Sequence, residues 1–231
     1  MFEKSGFLRP LPGSRLWPAT VILVAAIIVA FAIQVLVLPP AWVDRYLCLS
    51  LDGLRQGYYW QLLSYQFLHA GLLHLLLNCW ALYLFGREVE YALGTRRFLV
   101  LYFASGVVGG LFQELAALAW PGHFGSGVVG ASAGVFGVVS AFALLNPRRP
   151  LVMLLFFVVP IRMQTITLLW VSIVISTIGI AFPDSRLVES VFGNVAHAAH
   201  MGGILTGLAC VRWWERQVRR RSGRPGDPLG S

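Results

Sequence analysis

Charged residues are scarce in this sequence of 231 residues: Asp, Glu, Lys and Arg together make up 12%, whereas 57% of the residues are hydrophobic. With a mean hydropathy of +0.71, a chain of this length cannot bury all its apolar side chains inside a water-soluble globule. The composition therefore excludes a soluble domain and predicts a protein whose solvent is lipid.

Cysteine is also rare, and this excludes several kinds of site. The three cysteines are far apart and form no C-x-x-C pair, which argues against a zinc knuckle, a redox motif and a disulfide framework. His197 and His200 form an H-x-x-H pair, but no H-E-x-x-H occurs and no cysteine or carboxylate lies at a matching depth to complete a metal shell. We therefore expect no metal and no cofactor, and interpret His197 as structural or as lying at the water interface.

Six apolar segments are long enough to cross about 30 Å of hydrocarbon at roughly 1.5 Å per residue. They predict an all-α polytopic membrane protein, a bundle of six transmembrane helices at residues 18–41, 61–85, 97–119, 128–146, 163–182 and 194–213. The first is too long for a cleaved signal peptide. A seventh candidate, residues 151–161, is too short to span and is predicted to be interfacial or re-entrant.

The distribution of positive charge predicts the orientation. The net charge is +8, but the basic residues form short clusters between apolar runs, so we expect them to bind lipid headgroups and not nucleic acid. Most arginines fall on one side of the six-span arrangement, which makes both termini cytoplasmic by the positive-inside rule. Residues 1–17 are then a cytoplasmic segment, residues 18–213 the membrane domain and residues 214–231 a basic, disordered cytoplasmic tail. The first external loop, residues 42–60, is long and aromatic and is predicted to associate with the membrane.

Polar side chains inside spans are costly, so those that share a depth are candidates for function. The second, fourth and sixth spans run in the same direction, and counting residues back from the arginines at their ends places His74, Ser132 and His200 at one level. Ser132 lies near the start of its helix, where unpaired N–H groups favour a developing anion. The small residues Gly203 and Gly207 allow the sixth span to approach a neighbour closely.

A serine hydroxyl needs a base to become a nucleophile, and a neutral imidazole can supply it. No carboxylate lies at this depth, which predicts a dyad of Ser132 and His200 instead of a triad. Phe136, one turn after Ser132, is placed to pack on the His200 ring. Acyl transfer also needs donors for the oxyanion. His74 and Asn78 share a helix face and, with the Ser132 N–H, are the candidates.

Two further residues accompany this set. His69 precedes His74 by five residues and is expected nearer the outer surface, where it would hold the loop or admit water. Gly130 begins the run Gly130-Ala131-Ser132-Ala133-Gly134, in which small residues permit close approach of the backbone.

These motifs, in this order, resemble the rhomboid family of intramembrane serine proteases. The likeness covers about residues 55–212 and lies in four stretches: Trp60-Gln61-Leu62-Leu63 through His69 with His74 and Asn78; GREVEYALG at Gly86–Gly94 with Arg97-Phe98; Gly130-Ala131-Ser132 with Phe136; and Ala199-His200-Met201-Gly202-Gly203. One departure is Ala133, where the family often has glycine.

The resemblance implies a bacterial-type, six-span enzyme of the cytoplasmic (inner) membrane, whose substrates are membrane proteins cut in or near a transmembrane helix. It implies Ser132 as nucleophile, His200 as base, and His74 and Asn78 as oxyanion donors. Two other classes are weighed against it. A non-catalytic rhomboid-like binding protein is disfavoured because both dyad residues are present, and a transporter or channel is disfavoured because the spans hold no buried charge relay and no inverted repeat.

Overall fold

The computed structural model describes residues 18–121, 124, 127–155, 159–183 and 195–222. Within these residues a short 3-10 helix, Tyr65–Phe67, follows α4, and two strands, β1 (Pro150–Leu155) and β2 (Val159–Gln164), precede α8. The α-helices are α1 (Ala19–Leu36), α2 (Pro40–Tyr46), α3 (Leu51–Arg55), α4 (Gln61–Ser64), α5 (Leu72–Leu93), α6 (Thr95–Ala119), α7 (Ser132–Leu145), α8 (Thr165–Ala181) and α9 (His197–Ser222).

The long helices follow the apolar runs of the sequence. In the described part of the chain, α1 and α6 are each long and apolar enough to cross a bilayer, and α4 with its 3-10 extension and α5 would together make a third such element. The helices α7 and α8 are apolar but shorter. Many large apolar side chains on α1, α5 and α8 are exposed, as expected for faces that contact lipid rather than water.

The second predicted span is not one straight helix. The chain bends by 97° between the 3-10 helix and α5, and Gly71 at the start of α5 has an extended backbone. Helix α5 then continues past the expected end to Leu93, where Gly94 takes a positive φ of 81°, as is common for the residue that ends a helix. The predicted span over residues 61–85 is therefore broken near its start, and its helix is longer than the apolar segment.

The expectation of an all-α fold misses one β-hairpin. Strands β1 and β2 pair antiparallel, with Pro150 opposite Gln164 and Leu155 opposite Val159. The described residues of the seventh apolar candidate belong to these two strands, and the prediction that this segment is interfacial or re-entrant stays a prediction. Prolines at positions 150 and 160 disfavour a helix there.

The tail was expected to be disordered from residue 214, but α9 continues to Ser222. The reason is packing: Trp214 is buried in the main core, and the Arg97 guanidinium lies 5.9 Å from the centre of one of its rings. Residues 214–222 are therefore helical, and the rest of the predicted tail lies outside the described residues, as do residues 1–17.

The segment predicted to be the first external loop, residues 42–60, contains the short helices α2 and α3. Trp42, Tyr46, Tyr58 and Trp60 pack ring on ring in sequence, with the last two stacked at 4.8 Å between centroids. The indole of Trp60 also donates to the Tyr46 carbonyl at 2.7 Å. These contacts join α2 to the segment that precedes α4.

Helix α9 packs against α6 and α7, and small residues make the contact close. A Cβ atom at Gly203 would collide with the carbonyl oxygen of Ala133, and one at Gly207 would collide with Ser140 Oγ. The predicted close approach of the sixth span to the fourth is therefore confirmed. It brings the first turns of α7 and α9 side by side.

Candidate active site

Ser132 is the first residue of α7, and the chain before it is held by backbone hydrogen bonds. Leu49 and Val128 form an isolated antiparallel bridge, with N–O distances of 2.8 and 3.1 Å. Two residues later the N–H of Gly130 donates to the Tyr65 carbonyl at 2.9 Å. The external loop and the 3-10 helix thus fix the path of the chain into Ser132.

His200 lies in the first turn of α9, opposite Ser132. Its Nε2 is 2.8 Å from the Ser132 hydroxyl oxygen, and its ring packs on Phe136 with centroids 4.3 Å apart. The N–H of the preceding Ala199 donates to the side chain of Gln113 at 3.3 Å. Packing from α7 and a hydrogen bond from α6 therefore orient an imidazole that has no carboxylate behind it among the described residues.

This pair has the geometry of a nucleophile and its base. A hydroxyl within hydrogen-bond distance of an unprotonated ring nitrogen can pass its proton to that nitrogen as it attacks a carbonyl. Because Ser132 begins a helix, its own N–H and those of the next residues have no acceptor within the helix and point toward the space before α7. The arrangement can therefore stabilise negative charge beside the hydroxyl.

The second imidazole, His74, lies beside Gly130, two residues before α7 begins. A Cβ atom at Gly130 would lie 2.8 Å from Cε1 and 2.9 Å from Nε2 of His74, and 3.6 Å from Ser132 Oγ. Gly130 also has a φ of 132°, a backbone conformation that only glycine adopts readily. The glycine thus keeps open a small space that the His74 ring and the serine hydroxyl both border.

Hydrogen bonding identifies which nitrogen of His74 carries the proton. The N–H of Ala70 donates to Nδ1 of His74 at 3.5 Å, a long bond. A neutral imidazole with an accepting Nδ1 carries its hydrogen on Nε2. The Nε2–H group is the one beside Gly130, where it can donate to an oxyanion.

Asn78 and His69 flank His74 in different ways. Asn78 is buried one turn further along α5, and its side-chain amide donates to the His74 carbonyl at 2.9 Å. His69 is only 1% exposed, and its ring meets the edge of the His74 ring at 5.0 Å between centroids. The structure thus places His69 behind His74, not against the Ser132 hydroxyl.

The two histidines of the H-x-x-H pair lie in different surroundings. His197 is buried in the contact with α8, where a Cβ atom at Gly179 would collide with its ring. Its ring centroid is 6.3 Å from that of His200. Among the described residues no three His, Cys, Asp or Glu side chains are grouped as a metal would require.

Comparison with known proteins identifies the family. The model of the rhomboid domain matches residues 56–214, which is more than half of the chain. The chain belongs to the rhomboid family. This confirms the family predicted from the motifs around His74, Ser132 and His200.

Several relatives of this rhomboid protein are named as proteases. It is 30% identical to the rhomboid protease GluP of Bacillus subtilis over 67% of its own length and 26% of GluP. It is 27% identical to the rhomboid protease GlpG of Yersinia pestis, over 95% of its own length and 70% of GlpG. It is 29% identical to the mitochondrial Rhomboid protein 1 of Saccharomyces cerevisiae, over 80% of its own length and 51% of that protein. The chain thus spans about a quarter of GluP and half of the yeast protein. The two bacterial relatives are named as proteases, which agrees with the predicted enzyme class.

Sequence reasoning missed three residues around this site. Gln34 in α1 pairs with the backbone of His69, Gln113 holds the first turn of α9, and Gln61 bridges Ser50 and Arg45 in the external loop. The signal that the sequence offers is a glutamine inside an apolar run. An amide is costly in lipid, so its presence there indicates a buried hydrogen-bond partner. Sequence could not name that partner, because each one lies on another element.

Two other expectations concern residues that the structure does not describe. His123 lies outside the described residues. The loop of residues 183–192, expected to cover the site together with the fifth span, also lies outside them apart from Pro183.

Proposed function

We propose that this rhomboid protein is an intramembrane serine endopeptidase that cleaves transmembrane or membrane-proximal segments of other membrane proteins. The observation that carries the proposal is the 2.8 Å contact between Ser132 Oγ and His200 Nε2, made between the first turns of α7 and α9. Polar side chains within membrane-spanning segments are energetically costly, so a half-buried hydroxyl and imidazole in contact there indicate a function.

The length of α7 supports a site below the membrane surface. Its 14 residues extend about 21 Å at 1.5 Å per residue, whereas the hydrocarbon layer is about 30 Å thick. Two residues separate the last residue of the helix, Leu145, from the basic pair Arg148 and Arg149, which we assign to the cytoplasmic headgroups. Ser132 at the other end then lies roughly 10 Å below the outer boundary.

The wider membrane topology follows the same assignment. We propose that α1, α5, α6, α7, α8 and α9 are the six spans, with both termini in the cytoplasm of a bacterial cell and the protein in its cytoplasmic membrane. The basic residues that follow α7 and those in the last turns of α9 then share one face, as the positive-inside rule requires.

In the reaction, Ser132 attacks the scissile carbonyl while His200 Nε2 accepts the hydroxyl proton. The tetrahedral oxyanion forms beside Gly130, where it accepts hydrogen bonds from the His74 Nε2–H, the Asn78 side-chain amide and the Ser132 N–H. His200 then gives its proton to the leaving amine, and water hydrolyses the acyl-enzyme with His200 again as the base. A substrate helix hides its carbonyls in its own hydrogen bonds, so it must unwind locally before attack.

The test combines labelling with cleavage. Purified protein in proteoliposomes is treated with a fluorophosphonate probe and the adduct is mapped, in parallel with cleavage of a fluorogenic transmembrane peptide. We expect both signals in the wild-type protein, neither in Ser132→Ala, and a loss of both in His200→Ala. A metal chelator should leave cleavage unchanged.

Other outcomes would separate the rival functions. Equal labelling of all three proteins would remove the protease proposal. Binding of the peptide without cleavage or labelling by wild type would favour a non-catalytic member of the family, and solute flux through the proteoliposomes would favour a transporter.

A further inference from the structure

The first helix reaches into the site although it lies outside residues 56–214 that match the family model. Near the end of α1, the side-chain amide of Gln34 makes two hydrogen bonds to one residue. Its Nε2 donates to the His69 carbonyl at 2.9 Å, and its Oε1 accepts from the His69 N–H at 3.0 Å. This is the pairing that a neighbouring β-strand would give.

His69 needs such a partner because it lies in the bend between the 3-10 helix and α5. Residues 68–71 belong to neither helix, so the backbone groups of His69 find no partner within regular secondary structure. Buried backbone groups that lack a hydrogen-bond partner destabilise the fold. Gln34 satisfies both groups and holds the bend in one conformation.

A second residue of α1 contacts the same place. Phe31 lies one turn before Gln34 and meets the His69 ring edge-on, with centroids 6.4 Å apart. The other side of the His69 ring meets His74 at 5.0 Å. Both His69 ring nitrogens are buried, and ring packing together with the Gln34 amide holds this residue in place.

The consequence falls on the next residue. Ala70 follows His69 directly, and its N–H donates to Nδ1 of His74. The direction of the Ala70 N–H depends on the backbone torsions at His69, and Gln34 fixes these torsions. Because an accepting Nδ1 keeps the hydrogen on Nε2, the direction of the Ala70 N–H decides whether His74 presents a donor to the space beside Gly130 and Ser132.

We propose that Gln34 is a positioning residue for the oxyanion site: by pairing with both backbone groups of His69 it aims the Ala70 N–H at His74 and keeps the Nε2–H of His74 facing Ser132. This inference rests on the proposed function for its effect on rate. The effect on His74 itself does not require turnover.

The kinetic test uses Gln34→Ala, with Val35→Ala as the matched control because Val35 is the adjacent residue of α1 and is 60% exposed. Losing one oxyanion donor lowers rates by about 100- to 1000-fold. A donor that is misaligned for part of the time lowers the rate by a smaller factor. We expect Gln34→Ala to lower kcat by about 10- to 100-fold with KM within twofold of wild type, and Val35→Ala to leave both unchanged. Gln34→Glu keeps the acceptor for the His69 N–H and should fall between wild type and Gln34→Ala.

A double-mutant cycle shows whether the effect passes through His74. If it does, Gln34→Ala combined with His74→Ala is no slower than His74→Ala alone. A merely structural role for Gln34 would instead lower the unfolding midpoint of both backgrounds and reduce the active fraction, without changing kcat per labelled site.

The spectroscopic test is independent of cleavage. Protein labelled with ¹⁵N-histidine reports the protonated nitrogen of each ring, and His74→Ala identifies the His74 signals. We expect the Nε2–H form in wild type and in Val35→Ala, and a mixture of both tautomers in Gln34→Ala. An unchanged His74 spectrum in Gln34→Ala would overturn the inference, whereas a wild-type protein that neither cleaves nor labels would overturn the proposed function alone.

Discussion

Replacing Gly130 by alanine is the sharpest perturbation of the proposed oxyanion site. The new methyl would occupy the space in which the oxyanion forms, within 3 Å of the His74 ring and 3.6 Å from the Ser132 hydroxyl oxygen. His74 must then move away, which removes a donor worth about 100- to 1000-fold in rate. The positive φ of 132° adds backbone strain of about 1–3 kcal/mol.

Two glycines near the site separate these effects. Gly127 also has a positive φ, 96°, but a Cβ atom there meets nothing within 4 Å, so Gly127→Ala introduces strain without filling space. Gly71 has an extended backbone and open space, so Gly71→Ala introduces neither. We expect only Gly130→Ala to lose about 100-fold or more in kcat, whereas Gly127→Ala lowers the unfolding midpoint and Gly71→Ala resembles wild type.

The assay is cleavage of a fluorogenic transmembrane peptide in proteoliposomes, with thermal unfolding of the same preparations. Rates are expressed per folded molecule, so that a loss of stability from backbone strain and a loss of kcat from the displaced oxyanion donor are measured separately. Near-wild-type kcat for Gly130→Ala would refute the position assigned to the oxyanion. Equal losses of kcat in Gly127→Ala and Gly130→Ala would attribute the effect to backbone strain.

Three further predictions concern the residues that hold the site together. Phe136→Ala should lower kcat by about tenfold, because the ring contact that orients His200 is worth roughly 1 kcal/mol; steady-state cleavage measures this. Glu90→Gln should lower the unfolding free energy by about 2–3 kcal/mol, because the buried carboxylate accepts hydrogen bonds from the backbone at the start of α1 and from two threonine hydroxyls; thermal unfolding in detergent measures this. Gly203→Ala should abolish both labelling and cleavage, because its methyl would push α9 away from the Ala133 carbonyl and separate the dyad.

Each of these has its own control. Glu88→Gln removes a half-exposed partner of Arg149 and should change stability by less than about 1 kcal/mol; a loss as large as that of Glu90→Gln would contradict the role given to burial. Phe136→Tyr keeps the ring and should restore most of the rate lost in Phe136→Ala. Full labelling of Gly203→Ala would show that the two helices tolerate separation.

Particular residues show how far the sequence could be interpreted. Ser132, His200 and His74 were identified because polar groups in apolar runs are few and their depths can be counted from the arginines. Phe136 followed from helix periodicity. Glu90 lies in α5 and accepts hydrogen bonds from backbone N–H groups in the first turn of α1. The sequence does not predict this contact, because no local pattern indicates which distant N–H groups a carboxylate meets.

The same limit explains the errors in the fold. The bend of 97° before α5 interrupts an apolar run that hydropathy treats as continuous. The segment that forms β1 and β2 is apolar enough to be interpreted as a short helix. Only the pairing of the two strands distinguishes them from a helix. Trp214 is buried in the core because α6 packs beside it. The residues next to Trp214 in the sequence do not specify this contact.

By itself, the sequence determined that the chain belongs in lipid, which apolar runs form its helices and which few polar side chains those helices carry. These properties follow from local composition and from the period of the helix, so the order of residues is enough to predict them. Only the tertiary structure decided that the Ser132 hydroxyl meets His200 Nε2 at 2.8 Å and that Gln34 of α1 holds the backbone beside His74. Those contacts join residues far apart in the chain, and their geometry depends on how closely whole helices pack.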